Sequence, residues 1–438
     1  MRIGVAISGG GHRATMFGLG VLLYLADTEH NRATVAISSV SGGSITNAVA
    51  ALNDYQIASS DAFRATARRL AAQIANRGSL FAWPGTWLYL FAVALGMVGS
   101  VAIWFVPLQW AWRLVLFVVA LVAWEFLLVR RRGEICGRAY SATVLSEKRS
   151  PRLADIARDG IDHVICATHL HAGEHFYFSG RFVYAFRFGW GVPGDLPLHV
   201  AVQASTALPG AFPPRWIRSG RFGLAGGVAA VPGLLGLVDG GVYDNMAEQW
   251  LSGISKRSGL PDHVQRPDTM IVANGSASMG IESVARMHWP IIGELQALLR
   301  DSAIMYDNSA SIRKSDLVDR FDAIEGTGDE PGIGLRGCLL DIRSDPFGAA
   351  RFFADKDAVW PERAGRARRI LEKRPADWIS DADFVSSVGT NLSTLGVDTA
   401  ARILRHSYTL AAMNLHLFLD LPLVDPPSLD VFVAMCKD

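Results

Sequence analysis

A serine at a corner of small residues is the feature of this sequence with the clearest chemical potential. Thr34 to Ile37 is an apolar run of strand length, Ser39-Val40-Ser41-Gly42-Gly43 follows, and a helical pattern begins at Ile45. A serine on a sharp strand-to-helix turn exposes its hydroxyl, and small neighbours on both sides leave room for the turn. Ser41 is therefore predicted to be a nucleophile, although a Ser/Gly corner taken alone is more often an ordinary loop.

A glycine loop near the start of the chain predicts a site for negative charge. The apolar run Arg2 to Ile7 breaks into Ser8-Gly9-Gly10-Gly11-His12-Arg13-Ala14, and helical periodicity follows as far as Leu25. A strand, a glycine loop and a helix N-terminus point free backbone N–H groups at one place, where the helix dipole also favours an anion. We expect an oxyanion hole built from Gly9, Gly10 and Gly11, with Gly42 beside it.

The same loop formally matches a dinucleotide-binding fingerprint, because Gly9-x-Gly11-x-x-Ala14 fits G-x-G-x-x-G/A. That function needs an acidic residue at the end of the next strand, about 20 residues further on, to hold the ribose. The Ser41 corner occupies this place in the sequence. The oxyanion hole is the favoured interpretation, and a nucleotide-binding oxidoreductase is the weaker alternative.

The predicted nucleophile needs a base, because a serine hydroxyl alone is a poor nucleophile. Asp239 ends the apolar run Gly236-Leu237-Val238 and precedes two glycines. An Asp-Gly pair is also typical of an ordinary β-turn. No histidine stands at a comparable strand end, and His12 lies where it would flank the hole. The sequence therefore favours a Ser41–Asp239 dyad without histidine.

Four blocks, in order along the chain, resemble those of the patatin-like phospholipases, and the first two also look like the cytosolic phospholipase A group. The blocks are Gly9-Gly10-Gly11-His12-Arg13-Ala14 for G-G-G-x-R-G/A, Ser39-Val40-Ser41-Gly42-Gly43 for G-x-S-x-G, Ala204 to Pro214 for A-S-x-A-x-P-x-x-F-x-P, and Asp239-Gly240-Gly241 for D-G-G/A. The resemblance covers residues 1–56 and 160–280. Ser39 replaces the family's usual glycine, and the angle of the corner depends on that position.

The resemblance implies an α/β fold, a three-layer sandwich with a mostly parallel central sheet. It also implies a phospholipase or lysophospholipase reaction without a cofactor, in which Ser41 forms an acyl-enzyme and Asp239 is the base. An ordinary aspartate, with a pKa of about 3.9, is a weak base. Burial among Leu235 to Val238 is expected to raise that pKa. Arg13 is expected either to bind a lipid phosphate or to support the glycine loop. A catalytically inactive, membrane-tethered lipid-binding scaffold is the alternative.

Two apolar runs between the glycine and aspartate blocks predict an inserted transmembrane helical hairpin. Trp87 to Phe105 has no charged residue, and Leu114 to Val129 has only Glu125. At about 1.5 Å per residue, roughly 20 helical residues cross a hydrocarbon core of about 30 Å. Tryptophans stand at the ends of the runs, as interfacial anchors do: Trp83, Trp87, Trp110 and Trp112. The alternative is a hairpin packed on the protein's own core or lying in the membrane interface.

Basic residues flank the outer ends of the hairpin, while Arg113 is the only one at its turn. They are Arg64, Arg68, Arg69 and Arg77 on one side and Arg130, Arg131 and Arg132 on the other. The positive-inside rule therefore puts both ends, and with them the catalytic domain, in the cytoplasm. No signal peptide is expected before the first strand.

The predicted organisation has four segments. Residues 1–80 form the first part of the catalytic domain, 81–132 the hairpin, 133–385 the remainder of the catalytic domain, and 386–438 a C-terminal helical segment packed on it. Residues 326–334 are predicted to be a loop. Because the net charge is only +1, no nucleic-acid partner is expected. The lipid substrate and the membrane are the expected partners, and the oligomeric state stays open.

Histidines and cysteines raise two further questions of chemistry. His169, His171 and His175 have a spacing that zinc can use, but such residues are more often solvated at a hairpin end, so no metal site is expected. The four cysteines show no paired spacing and are expected to be free thiols.

Overall fold

A computed structural model describes residues 1–145, 150–257, 259–276, 292–326, 336–376 and 378–437. Within them, one sheet of eleven strands forms the centre of the molecule. The strands are β1 (Ile3–Ile7), β2 (Thr34–Val40), β3 (Asp162–His169), β4 (Glu174–Ser179), β5 (Val183–Ala185), β6 (Gly189–Gly191), β7 (Arg215–Arg218), β8 (Ala225–Gly226), β9 (Leu234–Asp239), β10 (Thr269–Asn274) and β11 (Gly337–Asp341).

Helices connect the strands and cover both faces of the sheet. They are α1 (Gly11–Asp27), α2 (Gly42–Leu52), α3 (Ser60–Asn76), α4 (Pro84–Ala102), α5 (Trp110–Leu127), α6 (Arg132–Tyr140), α7 (Leu198–Ser205), α8 (Gln249–Ser252), α9 (Ile292–Gly326), α10 (Gly348–Phe353), α11 (Pro361–Glu372), α12 (Ala382–Ser387), α13 (Val397–Leu419) and α14 (Leu429–Cys436). Apart from Gly326, the loop predicted for residues 326–334 lies outside the described residues.

The sheet is mixed, which corrects the prediction of a mostly parallel one. Five strands in the order β11-β10-β1-β2-β3 are parallel to their neighbours. From β3 onwards the strands β4, β5, β6 and β8 are antiparallel, and β9 and β7 also pair antiparallel. Residues 170–173 are the whole link from β3 to β4, and so short a link permits an antiparallel pair but no crossover to a parallel one.

Two hydrophobic cores lie on opposite faces of this sheet, because successive side chains of a strand point to opposite sides. Val5 and Ile7 of β1 belong to the core formed with α1, α2, α3 and α13, whereas Ala6 belongs to the core that includes Trp250 and Leu317. Strands β1, β2, β3 and β10 are buried along their whole length, as expected for parallel strands covered on both faces. The molecule is an α/β protein with three layers.

Helices α4 and α5 form a hairpin that projects from these layers. Its two apolar helical spans, Pro84–Phe105 and the segment that begins at Trp110, have 6% and 0% of their most apolar stretch buried. The two helices contact each other, and the Trp124 indole donates to the carbonyl of Val93 at 2.8 Å. The described part of the chain therefore leaves the hairpin uncovered, contrary to the alternative in which it packs on the protein's own core.

Candidate active site

Ser41 occupies a strained turn between β2 and α2. Its backbone has φ 51° and ψ −124°, a conformation that a side chain-bearing residue adopts at a cost of about 1–3 kcal/mol. Glycines make the turn sterically feasible, since a Cβ at Gly42 would lie 2.0 Å from the carbonyl oxygen of Gly11, and one at Gly43 would lie 2.6 Å from that of Ile7. The corner predicted from the sequence is therefore a sharp strand-to-helix turn that raises the serine above the sheet.

A buried network of hydroxyl groups holds the turn from below. The Ser41 N–H donates to the hydroxyl of Ser205 at 3.0 Å, and that hydroxyl donates to the carbonyl of Cys166 at 2.7 Å. Ser44 Oγ lies 2.9 Å from Ser205 Oγ and 3.2 Å from Ser39 Oγ. Asn47 donates to the Ser39 hydroxyl at 2.9 Å. Ser205 supports the turn through these bonds, and it was not among the predicted site residues although it stands in the Ala204 to Pro214 block.

Ser39, the departure from the family pattern, fits within this network. Its side chain is fully buried and donates to the carbonyl of Val164 at 3.2 Å. Strand β2 continues through it to Val40 and pairs it with Ile165 of β3. A hydroxyl at this position is therefore accommodated without disturbing the turn.

Asp239 is the last residue of β9, and the sheet register brings it to Ser41. Strand β2 leaves the edge of β3 after the pair Val40–Cys166, and β9 takes the next position on that edge, with Asp239 opposite Ala167. The Ser41 hydroxyl lies close enough to the Asp239 carboxylate to lower its pKa, and this carboxylate accepts the Gly241 N–H at 2.8 Å. The structure thus joins the two residues that were singled out from separate parts of the sequence.

The environment of Asp239 alters its acidity. The side chain is 1% exposed, and burial raises its pKa from 3.8 to about 7, against the opposing effect of the hydrogen bonds from Gly241 and Ser41. A carboxylate with such a pKa is a far stronger base than an ordinary aspartate and is still largely ionised just above neutrality.

Backbone N–H groups of the glycine loop lie beside this pair, but one predicted donor is unsuitable. The Gly9 N–H donates to the carbonyl of Asn245 at 2.9 Å, which removes Gly9 from the predicted oxyanion hole. Its role is steric, because a Cβ there would lie 2.3 Å from Asn245 Oδ1 and 3.2 Å from Ser41 Cβ. The N–H groups of Gly10, Gly11 and Gly42 have no acceptor within the described ranges, and Gly11 and Gly42 begin helices α1 and α2.

Arg13 lies under the glycine loop and contacts the C-terminal part of the chain. Its side chain is 3% exposed and donates to the carbonyl of Gly275 at 2.9 Å, to that of Val388, and to the Thr390 hydroxyl at 3.3 Å. Burial lowers the pKa of its guanidinium to about 10. Of the two expectations for Arg13, these contacts favour support of the loop.

His12 is also held in structural contacts. Its Nδ1 lies 2.7 Å from the carbonyl oxygen of Ser393 and must donate, and its Nε2 lies 2.7 Å from Ser79 Oγ. Burial lowers its pKa to about 4, so the ring is neutral. Both nitrogens are engaged away from Asp239, which agrees with a pair that uses no histidine.

Two of the three histidines with zinc-like spacing bind carbonyl groups, and the third, His169, lies 4.0 Å from Glu174. His171 lies 3.0 Å from the carbonyl oxygen of Leu234, and His175 lies 3.0 Å from that of Gly240. In the part of the chain that the structure describes, no three His, Cys, Asp or Glu side chains come together as a metal site. The four cysteines are buried free thiols.

The molecule is a three-layer α/β protein in which strand β2 leads into a serine turn, and a buried carboxylate and open N–H groups lie beside that turn. These features define the class of proteins with a nucleophile elbow. This chain belongs to the patatin-like phospholipase family, whose model matches residues 5–249, more than half of its length. No curated protein sequence matches the chain.

Solved structures include similar chains at low identity. A structure of human GIVD cytosolic phospholipase A2 is 13% identical with a TM-score of 0.47, and the match covers 99% of this chain and 60% of the human one. The same human protein in complex with methyl gamma-linolenyl fluorophosphonate gives 14% identity and a TM-score of 0.44, over 99% and 59% of the two chains. The structure of VipD from Legionella pneumophila is 13% identical with a TM-score of 0.29, and the match covers 99% of this chain and 90% of VipD. This chain thus spans about three fifths of the length of the human protein.

Proposed function

We propose that this protein is a serine acyl hydrolase that cleaves fatty-acyl esters of phospholipids or lysophospholipids. Family membership supports the reaction class. The observation that carries the residue assignment is the proximity of the Ser41 hydroxyl to a buried Asp239 whose pKa is about 7. A nucleophile joined to a base of suitable pKa is the arrangement that activates a serine.

In the proposed mechanism, Asp239 takes the proton of the Ser41 hydroxyl as Oγ attacks the ester carbonyl. The N–H groups of Gly10, Gly11 and Gly42 stabilise the oxyanion that forms. When the tetrahedral intermediate collapses, the bond to the alcohol breaks and the alcohol leaves with the proton from Asp239. Asp239 then takes a proton from water, the hydroxide attacks the acyl-enzyme, and Ser41 is released with its proton restored.

Two alternatives lose support from these contacts. The inactive scaffold rested on Ser39, which fits below the turn through hydrogen bonds to Val164 and from Asn47. The oxidoreductase needs a carboxylate at the end of β2, where the chain instead turns at Ser41 into α2.

The test of the proposed reaction is a panel of lipid esters given to the full-length protein in detergent micelles. We expect release of free fatty acid from phospholipid or lysophospholipid, and no release from matched ether lipids, because a serine nucleophile needs an acyl carbon. Tight binding of NAD(P) together with no turnover of any ester would contradict the proposal and favour the oxidoreductase.

We further propose that α4 and α5 insert into a membrane with the catalytic domain on its cytoplasmic side. The hairpin is exposed and apolar, and 22 residues from Pro84 to Phe105 would extend about 33 Å as a helix. Both ends of the hairpin contact segments that also bear on the candidate site, since the carbonyl of Ala207, four residues before Ala211, accepts the Asp239 N–H at 3.0 Å. On one side Ser79 contacts His12 of the glycine loop, and on the other Arg132 donates to the carbonyl of Ala211 at 2.9 Å. This arrangement would hold the site next to an insoluble substrate.

Introducing an arginine at the middle of each hairpin helix tests the insertion. Leu95 and Val119 are 59% and 58% exposed, so Leu95→Arg with Val119→Arg leaves the packing of the domain intact. Each arginine costs roughly 2.5–3.5 kcal/mol at the centre of a membrane helix, and we expect most of the protein to leave the carbonate-resistant membrane fraction. Leu95→Ala with Val119→Ala is the control and should stay in that fraction. Equal retention of the arginine variant would show that the hairpin does not enter hydrocarbon.

A further inference from the structure

A second cleft, away from Ser41, lies between α2, α3 and the π-helical turn Ser141–Leu145 that follows α6. Its volume is about 690 Å³. The residue of its α2 wall closest to the Ser41 turn is Val49, seven residues from Gly42 and hence about 10 Å along the helix, and neither Ser41 nor Asp239 lines the cleft. The cleft is therefore distinct from the candidate active site.

The walls of the cleft are amphipathic. The apolar side chains in its wall include Val49, Leu52, Leu70, Val144 and Leu145. Four cationic residues share the cleft with them: Arg68, Arg69, Arg77 and Lys437. No Asp or Glu is among the described residues that line it. A cleft with apolar walls and several cations matches a molecule that has an anionic head and an apolar tail.

Three of the four cations, Arg68, Arg69 and Lys437, have no carboxylate partner among the described residues. Arg69 donates to Asn53 Oδ1 at 2.8 Å, which is a neutral acceptor. Clustered like charges repel one another, and a bound anion would relieve that repulsion. Arginine in particular binds phosphate oxygens in a bidentate manner.

The cleft lies at the base of the hairpin. Arg77 precedes Pro84, the first residue of α4, by seven positions, and Thr143 donates to the carbonyl of Ser79 in the same connecting segment. If the hairpin enters a bilayer, the cations of the cleft face its headgroup layer, where each adds about 1 kcal/mol of attraction to an anionic surface.

We propose that this cleft is a non-catalytic site for an anionic phospholipid, with its phosphate on the arginines and an acyl chain along the apolar wall. The anion site is independent of the proposed function, whereas its supply from the bilayer rests on the proposed membrane insertion. Such a site would tie the domain to anionic membrane regions without using the hydrolytic centre.

The test is calorimetric titration of the full-length Ser41→Ala protein in non-ionic detergent, so that no probe is hydrolysed. The probes are dihexanoyl phosphatidylglycerol, dihexanoyl phosphatidylcholine and inorganic phosphate, each corrected for titration into detergent alone. We expect phosphatidylglycerol to bind at least about tenfold more tightly than phosphatidylcholine. Adding Arg68→Gln and Arg69→Gln should weaken phosphatidylglycerol binding by about tenfold or more, since two arginines lose their attraction.

The matched control adds Arg369→Gln and Arg374→Gln, which remove the same charge from exposed positions on and just after α11. This control should bind phosphatidylglycerol as the parent protein does. Equal binding of the two lipids, or equal loss in both double variants, would overturn the proposal. Binding of inorganic phosphate as tight as that of phosphatidylglycerol would also overturn it and assign the cleft to a soluble anion. Because no arm measures turnover, these outcomes are independent of whether the protein hydrolyses esters.

Discussion

Ser41→Ala is expected to lower the rate of ester hydrolysis by a factor on the order of 10⁴ or more, because no acyl-enzyme can form without the nucleophile. The variant keeps a Cβ on the same turn and loses only the hydroxyl that lies next to Asp239, so the fold should be unchanged. The measurement is kcat/KM on a phospholipid ester, with labelling by a fluorophosphonate probe as a second readout. The native protein should label and the variant should not.

Ser44→Ala is the matched control for this substitution. Ser44 lies three residues further on, and its hydroxyl belongs to the buried network with Ser205 and Ser39. Its loss should weaken the support of the turn but leave the fluorophosphonate label on Ser41. Undiminished labelling of Ser41→Ala would refute the nucleophile, whatever the activity of the control.

The two principal residues of the candidate site were predictable because each carries a local signature. Ser41 and Asp239 both end an apolar strand and precede a pair of glycines. Their contact was not predictable in the same way. It arises because β9 continues the edge of β3 at the position that β2 leaves, and this register depends on pairing between residues about 70 positions apart, such as Ala167 and Asp239.

The prediction that Gly9 is an oxyanion donor is wrong for a comparable reason. Gly9 is identical in type to Gly10 and Gly11, and nothing local distinguishes them. The partner that removes Gly9 is the carbonyl of Asn245, which lies 236 residues away in the sequence. Backbone hydrogen bonds of this kind are set by the tertiary fold and leave no pattern in the residues that make them.

The sheet shows the limit of periodicity as a signal. Strands such as β2 and β10, with seven and six residues, stand out as apolar runs. Strands β5, β6 and β8 have three, three and two residues, which is too short for alternation to be visible. Together with β4 and β9 these short strands form the antiparallel half of the sheet, and the predicted parallel half is the one that carries the glycine loop and the Ser41 turn.

The support that the C-terminal part of the chain gives to the site could not be predicted from the sequence either. Arg13 and His12 donate to carbonyls of Val388 and Ser393, in the C-terminal segment predicted for residues 386–438. A residue that contributes only a backbone carbonyl can be of almost any type, so its identity gives no indication of its role.

Asp239→Asn is expected to reduce kcat/KM by about 10²–10⁴, because an amide cannot accept the Ser41 proton. The pH profile of the native protein separates this role from a structural one. Only the ionised carboxylate is a base, so the native rate should rise with pH through about 7, the pKa to which burial raises Asp239, and then become constant. The residual rate of the variant should lack this step. A native profile that is flat between pH 5 and 9, about two units on either side of that pKa, would contradict the assignment of Asp239 as the base.

The same substitution is expected to stabilise the protein at alkaline pH. Below about pH 3, Asp239 is neutral in the folded and unfolded chains, and its burial has no ionisation cost. As the pH rises towards 7, Asp239 ionises in the unfolded chain but stays protonated in the folded one, so the free energy of unfolding falls. Above pH 7, Asp239 is ionised in both, and the free energy of unfolding decreases no further. A shift from 3.8 to about 7 corresponds to at most about 4 kcal/mol, at about 1.4 kcal/mol per pKa unit. Asp239→Asn should therefore unfold at a higher temperature than the native protein at pH 8, with a smaller difference at pH 5.

Asp244→Asn provides the control of opposite sign. This aspartate is also 1% exposed, but its carboxylate accepts the N–H groups of Met246 at 2.9 Å and Gln249 at 3.0 Å. An amide can replace only one of these acceptor oxygens, and an unsatisfied buried group costs about 1–3 kcal/mol, so Asp244→Asn should lower the unfolding temperature at pH 8. The unfolding temperatures of the Asp239→Asn and Asp244→Asn proteins are measured by thermal unfolding of the full chain in detergent. An Asp239→Asn protein that is less stable than the native one at pH 8 would show that the Asp239 carboxylate stabilises the fold, and the assignment of Asp239 as a desolvated base with a raised pKa would then be wrong.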